Sequence, residues 1–297
     1  MKLQERYIDP FTDFGFKKLF GEEPNKELLV DFLNHLLAGR KQITQLTYAR
    51  NEHLGKTDTN RRAVFDLYCE GDRGEKFIIE LQKVKQQFFK DRSLYYATFP
   101  IQEEGNKGAW NYRLPEVFSV AVMDFAFDDS HPGQYRHEVK LMETRTKEVF
   151  YDKLTLIYLE MPKFRKEPEA LETHFDKWMY LLKNLHRFTD IPPVLQERIF
   201  RRAFQIAEVA NLNPQDMERY ELSLKDKRDW ESAIETAVEE GREKGIKEGI
   251  EKGIQEGREK GMKEGVKEVA RNLKRTGVDI ALIVQATGLT PEEIEKL

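Results

Sequence analysis

The sequence predicts an α/β protein with elements in the order α-β-β-β-α-β, followed by an α-helical C-terminal region. Three observations carry this. NKELLVDFLNHLLA (25–38) places Leu28, Leu29, Phe32, Leu33, Leu36 and Leu37 at the spacing of one buried helix face. Val64–Cys69 and Phe77–Leu81 are rich in strand formers and flank Gly-Asp-Arg-Gly at 71–74, a hairpin pattern. Val117–Phe127 is a strongly apolar run, the pattern of a central strand.

In chain order, Gly39 stops the first helix and Gln42–Arg50 reads as a strand leading to the hairpin. Gln86–Glu104 is helical and aromatic, and Pro100 is expected to kink or end it, because proline lacks the N–H that the helix needs. Glu138–Glu143 and Leu154–Met161 are further strands. From Glu169 to about Asp226 the pattern is helical, with Phe175, Trp178, Leu181, Leu182 and Leu185 on one face.

The hairpin carries the chemistry. Folding it about Arg73 sets Asp66 opposite Glu80, since both lie seven residues away. Directly opposed residues have Cβ atoms about 5 Å apart. Gln82 is two residues beyond Glu80 and shares its face. Two carboxylates and an amide on one spot repel unless a cation or proton intervenes, which is the layout of a divalent-metal site for phosphodiester hydrolysis. Lys83, Lys85, Lys90 and Arg92 follow, with only Asp91 opposing. Alone they read as a solvated face; beside an acidic metal site they read as a phosphate-binding patch.

Composition bounds the alternatives. The chain has 297 residues, 39% hydrophobic and 34% charged, with net charge −4, so the whole protein is not a basic nucleic-acid binder and DNA contact must use a local patch. The one cysteine, Cys69, falls on a strand, which excludes an intrachain disulfide and a cysteine-based zinc site. MKLQERYIDPF lacks the apolar core of a signal peptide, and no apolar run approaches about 18 residues. A cytoplasmic protein without a membrane partner is expected. His35, His53, His131, His137, His174 and His186 are scattered, without metal-ligand spacing.

Between Glu239 and Glu268 glycine recurs at every fourth residue, from Gly241 to Gly265, often followed by an apolar residue such as Ile246, Ile250 or Ile254. Each glycine costs a helix about 1 kcal/mol relative to alanine. A glycine-faced helix that packs against a second copy and a flexible charged tether both fit. The repeat has no phosphate-loop pattern. Beyond it, segments starting at Asp279 and Thr290 read as two short helices, the second capped by Thr290 with Pro291 in its first turn and Glu293 three residues on. Glu292, Glu293 and Glu295 make that helix a poor major-groove reader and favour protein interaction.

A first acid followed by E-x-K on adjacent antiparallel strands, then a helix, is the core of the PD-(D/E)XK nuclease superfamily. Asp66 and Glu80-Leu81-Gln82, with glutamine in the lysine place, match this pattern, with IDPFTDFGFKKLFG (8–21) before and KDRSLYYAT (90–98) after. With LTLIYLEMPKF (154–164), these segments make the chain resemble the recombination-promoting nuclease, or PD-(D/E)XK nuclease family transposase, group over roughly residues 5–165. The tail NLKRTGVDIALIVQATGLTPEEIEKL (272–297) also resembles tails common in that group. The resemblance implies a restriction-endonuclease-like core, a mixed sheet flanked by helices. Together with the helical and glycine patterns, four regions are expected: a nuclease-like core at 1–165, a helical extension at 166–230, the glycine-repeat helix or tether at 231–270 and a two-helix tail at 271–297.

The same resemblance implies Mg²⁺ or Mn²⁺ held by Asp66, Glu80 and the backbone carbonyl of Leu81, with Gln82 where the family lysine assists the attacking water. A neutral amide can position water but cannot stabilise negative charge as a cation does. Lys83 and Lys85 fall on the opposite strand face if the pleat is regular, so Arg92 on the next helix is the better source of that charge. Asp13 is either a further acid at the site or the N-cap of a short helix. Lys83, Lys85, Lys90 and Tyr96 are DNA-binding candidates, although aromatics on a helix often belong to a core. Two functions fit: a metal-dependent DNA endonuclease of low sequence specificity, from recombination or mobile-element biology, and a weak or inactive scaffold that binds DNA or protein through its helical tail.

Overall fold

The computed structural model describes residues 5–49, 52–53, 63–105, 111–127 and 131–297. The elements run α1 (Asp13–Phe20), α2 (Lys26–Leu36), β1 (Leu46–Tyr48), β2 (Glu52–His53), β3 (Ala63–Val64), β4 (Leu67–Gly71), β5 (Lys76–Gln82), α3 (Phe89–Glu104), β6 (Val117–Met123), β7 (Arg136–Met142) and β8 (Val149–Glu160). Then follow α4 (His174–Asn184), α5 (Arg198–Ala207), α6 (Pro214–Arg275), α7 (Ile280–Thr287) and α8 (Pro291–Glu295). Two compact units divide the chain, Met1–Lys227 and Arg228–Leu297.

The first unit holds a six-stranded mixed sheet in the order β1-β4-β5-β6-β8-β7, and β2 pairs with β3 separately. The parallel pairs β5–β6 and β6–β8 make Val117–Met123 an inner strand, buried along its whole length. This is the mixed sheet flanked by helices that the sequence predicts. Strand alternation sends residues to two faces. Cys69, Phe77, Ile79, Phe118, Val120 and Ile157 join the core with Phe20 of α1, Phe32 of α2, Trp178 of α4 and Phe200 of α5. On the other face, Ala121, Met123 and Tyr158 pack with Phe89 and Ala97 of α3, while Tyr68 and Ile78 pack with Phe65, Tyr96 and Phe99. Helices α4 and α5 thus share one core with α1 and α2.

Several boundaries differ from the sequence reading for local reasons. Helix α3 runs through Pro100 to Glu104, because Phe89, Ser93, Ala97 and Pro100 form its buried stripe and packing offsets the missing hydrogen bond. The strand expected over Gln42–Arg50 shortens to Leu46–Tyr48, and the inner strand stops at Met123. Phe127, past that end, donates its N–H to Glu160 Oε1 at 2.8 Å. Strand β8 begins at Val149, before the expected Leu154, because its first residues pair with β7 across an irregular register near Leu141.

The segment entering α1 is held by long-range polar contacts. Asp9 is buried; its carboxylate accepts the Phe11 N–H at 2.8 Å and an ammonium hydrogen of Lys227 at 2.7 Å, and its N–H donates to Tyr220 Oη at 2.8 Å. Thr12 is the N-cap, its Oγ1 accepting from Gly15 N at 2.9 Å. Asp13 is therefore the first helical residue and not the cap, because Thr12 already occupies that role. A Cβ on Gly15 would lie 2.0 Å from the Asp9 carbonyl oxygen, so only glycine allows this close approach.

In the second unit α6 continues as helix through the glycine repeat, and Cβ atoms built on Gly241 to Gly265 would meet open space. Gly277 and Gly288 have φ of +82° and +72° and end α6 and α7 in left-handed turns. Thr290 and Glu293 form the capping box that the sequence predicts for α8. Ala270, Ile283 and Ile294 are buried together, so the last turns of α6 pack with α7 and α8. No helix among the described residues is long and apolar enough to cross a membrane.

Candidate active site

The hairpin positions the acids. Its ladder pairs Leu67 with Ile79 and runs to Glu70 with Lys76, the register that folding about Arg73 implies, and Asp66 sits one step beyond its end, level with Glu80. Gly74, with φ +82°, makes the turn. Asp66 Oδ2 accepts the Leu81 N–H at 2.7 Å, which ties the first acid to the backbone between Glu80 and Gln82. The site lies at the carboxyl end of β5, where open α/β sheets commonly bind ligands.

Glu80 and Gln82 are both buried and face α3. Arg92, one turn into that helix, joins them: its Nη2 donates to Gln82 Oε1 and lies 3.5 Å from Glu80 Oε2, and its Nη1 donates to Gln86 Oε1 at 2.5 Å. Gln82 Nε2 donates to the Val84 carbonyl at 2.8 Å. Both ends of the Gln82 amide are thus engaged, one of them holding Arg92 against Glu80. The guanidinium carbon lies 5.2 Å from the Phe89 ring centre and 5.5 Å from that of Tyr96.

Burial pushes the Glu80 carboxyl up to about 7; the Asp66 charge adds to this and Arg92 opposes it. Asp66 is also raised, by burial, against the Leu81 N–H and the Lys17 and Lys83 charges, which lower it. Burial lowers the Lys83 ammonium, against Asp13 and Asp66, which raise it. Asp13 pairs with Lys17 at 2.7 Å. Asp66 therefore feels α1 and Lys83 as well as Glu80. Strand β5 ends at Gln82, so Lys83 lies outside the regular pleat, and its charge reaches the site even though Glu80 and Gln82 face α3.

The remaining predicted residues fall further out. Lys85 and Lys90 are exposed, and the Lys90 ammonium lies 4.6 Å from the Phe127 ring centre. Tyr96 is half-buried and meets Phe65 edge-on at 5.2 Å. Burial raises its phenol, and the Glu80 charge adds to this. Lys18 bonds Glu22 and Asp216, a structural role. Cys69 is buried and free.

Sequence reasoning missed the role of Asp9 because its partners Tyr220 and Lys227 are far away in the chain. It also separated two histidines that the fold unites. Asp31 Oδ1 lies 2.8 Å from His174 Nε2 and 3.4 Å from His35 Nδ1, and accepts Trp178 Nε1–H at 2.7 Å. The four-residue step from Asp31 to His35 on α2 is a sequence signal for this pairing. The two imidazoles stack with centres 3.8 Å apart and planes 23° from parallel, so their in-plane lone pairs run alongside one another and do not converge on an ion. This cluster is a hydrogen-bonded brace between α2 and α4.

The hard oxygen donors at the hairpin fit a different cation. Carboxylates of Asp66 and Glu80 and the Leu81 carbonyl suit Mg²⁺ or Mn²⁺, and a cation there would relieve the two acids that burial raises, Glu80 further pushed up by the Asp66 charge.

A helix-flanked mixed sheet with an acid and E-x-Q at the carboxyl end of a hairpin strand is a PD-(D/E)XK nuclease-like architecture. The chain belongs to the PD-(D/E)XK nuclease family transposases, whose family model matches residues 10–237. The match includes α4, α5 and the start of α6, and stops just before the glycine repeat. The chain matches no curated protein and no solved structure.

Proposed function

We propose that this protein is a metal-dependent DNA endonuclease of low sequence specificity, acting in recombination or mobile-element biology. The observation that carries the reading is Asp66 held against the backbone of Leu81 beside buried Glu80, with Arg92 bracketed by Gln82. Asp66, Glu80 and the Leu81 carbonyl would hold Mg²⁺ or Mn²⁺. The chemistry supplied there would be polarisation of the scissile phosphate and a lowered pKa for an attacking water.

The residues of the chain supply the rest. Arg92 places positive charge beside the acids to meet negative charge developing on the phosphate, the role of the family lysine. Gln82 acts by holding Arg92. Lys83 and Lys17 add positive potential near Asp66, and Lys85, Lys90 and Tyr96 are the outer DNA contacts. Asp13, paired with Lys17, positions that lysine. We place the protein in the cytoplasm, with DNA as its partner.

Plasmid nicking tests this reading. Wild-type protein should nick supercoiled DNA in Mg²⁺ or Mn²⁺ and not in EDTA, and Asp66→Ala should reduce the rate by about a thousandfold, a barrier increase of about 4 kcal/mol. Cleavage that persists in Asp66→Ala overturns the assignment. DNA binding without cleavage in the wild type supports the inactive scaffold.

The second unit gives a companion proposal, a homo-oligomer formed through 239–268. Ile246, Ile250 and Ile254 are more than half exposed along α6, beside glycines that leave space for a second backbone. Removing residues 239–297 should leave the first unit folded by circular dichroism and lower the number of chains per particle measured by light scattering. An unchanged oligomeric state rejects the seam and favours a tether.

A further inference from the structure

Beside the acids lies an aromatic groove, of which the cleavage reading uses only Arg92 and Tyr96. It has a volume of about 560 Å³ and is lined by Phe88, Asp91, Arg92, Tyr95 and Tyr96, among others. That volume is within the range of small-molecule clefts, about 300–1,000 Å³. Phe88, Arg92 and Tyr95 recur at helical spacing, so the groove follows one side of the first turns of α3. Phe88 is 66% exposed and Tyr95 is 43% exposed, large rings presented to solvent. Arg92 belongs both to the groove and to the acid site, lying 3.5 Å from Glu80.

We propose that this groove is a subsite for an unpaired nucleobase next to the scissile phosphate, which makes single-stranded or locally unpaired DNA the preferred substrate class. The proposal rests on the nuclease reading of Asp66 and Glu80. An occupant whose backbone reaches the acids must bring a phosphate past Arg92, and a polynucleotide does so with the matching charge. Its next base then comes over Phe88 and Tyr95. A base in intact duplex has both faces covered by its neighbours, whereas an unpaired base can stack on an aromatic side chain. Asp91 at the groove can accept a hydrogen bond from an exocyclic amino group. The net charge of −4 gives no broad basic surface for duplex, which makes local stacking the stronger handle.

The test uses full-length Asp66→Asn protein, so that cleavage does not consume the probe, and oligonucleotides carrying 2-aminopurine. Three probes of one sequence are compared: single strand, duplex with the aminopurine bulged, and full duplex. The single strand and the bulge should bind at least about tenfold more tightly than the full duplex, with fluorescence quenched by stacking. Phe88→Ala and Tyr95→Ala should each weaken single-strand binding about tenfold and leave duplex binding unchanged, while Phe88→Trp retains it. Equal affinity for all three probes, or insensitivity to both alanine variants, overturns the proposal. The nuclease reading fails separately: cleavage by otherwise wild-type protein that ignores Asp66→Ala removes it, and quenching at Phe88 and Tyr95 then leaves a base-binding groove without a catalytic centre.

Discussion

Glu80→Gln should abolish cleavage and yet give a protein more stable than the wild type at pH 8. Burial lifts the Glu80 carboxyl to about 7 from its ordinary value near 4.5. Between those values the folded protein holds a proton that the unfolded chain has released. Stability therefore falls as pH rises through this window, by up to about 3 kcal/mol once Glu80 is ionised in the fold. A glutamine keeps the shape without the charge. At pH 5, where Glu80 is protonated in the fold, the two proteins should melt at similar temperatures. At pH 8 without divalent cations the variant should melt several degrees higher, since each kcal/mol moves the midpoint by about 2–4 °C in a protein approaching this size. Adding Mg²⁺ at pH 8 should raise the wild-type midpoint and leave the variant unmoved. Scanning calorimetry at the two pH values reads all of this, and a variant with no gain at pH 8 would sink the assignment of Glu80 as a destabilising buried acid. Stability given up at a functional residue in this way is a common trade-off.

Arg92→Ala should reduce cleavage by about a hundredfold or more and move its pH profile to alkaline values. The guanidinium is the cation beside Glu80, and it opposes the burial and the Asp66 charge that raise that carboxyl. Without it Glu80 stays protonated to higher pH, so a larger share of the protein lacks the second anion that the proposed metal site requires at neutrality. The loss of positive charge near the reacting phosphate adds a rate loss at every pH, of the size seen when one electrostatic donor is removed. Arg92→Lys should recover part of the rate. Gln82→Lys should lower activity, because an ammonium there replaces the amide that holds Arg92 with a like charge. Rate profiles from pH 6 to 9 distinguish these outcomes: a flat loss without an alkaline shift would separate Arg92 from Glu80.

The hairpin was legible in the sequence because its information is local. Strand formers flank a glycine-bearing turn, and equal distance from Arg73 places Asp66 level with Glu80, the register that the ladder adopts. Arg92 was legible for a similar reason, since it lies within a turn of the start of the following helix. The α1 side of the site was not. Asp13 looks like a cap until Thr12 is seen to hold that position, and the charge of Lys17 reaches Asp66 only because α1 docks near the end of β5. Pro100 illustrates the limit of a local rule, since the buried stripe of α3 overrides it. His35 and His174 were beyond reach because α2 and α4 meet only through a core assembled from the whole first unit.

The anchoring of Asp9 bears on how the protein is made. Its partners Tyr220 and Lys227 lie more than two hundred residues downstream, so synthesis reaches them last in the first unit. A chain emerging from the ribosome carries the Asp66–Glu80 hairpin long before it carries the residues that lock the entry to α1. Domains generally fold as units during synthesis, and distant contacts close late. The contacts that anchor the entry to α1, the helix that carries Asp13 and Lys17, are therefore completed only as the first unit is finished.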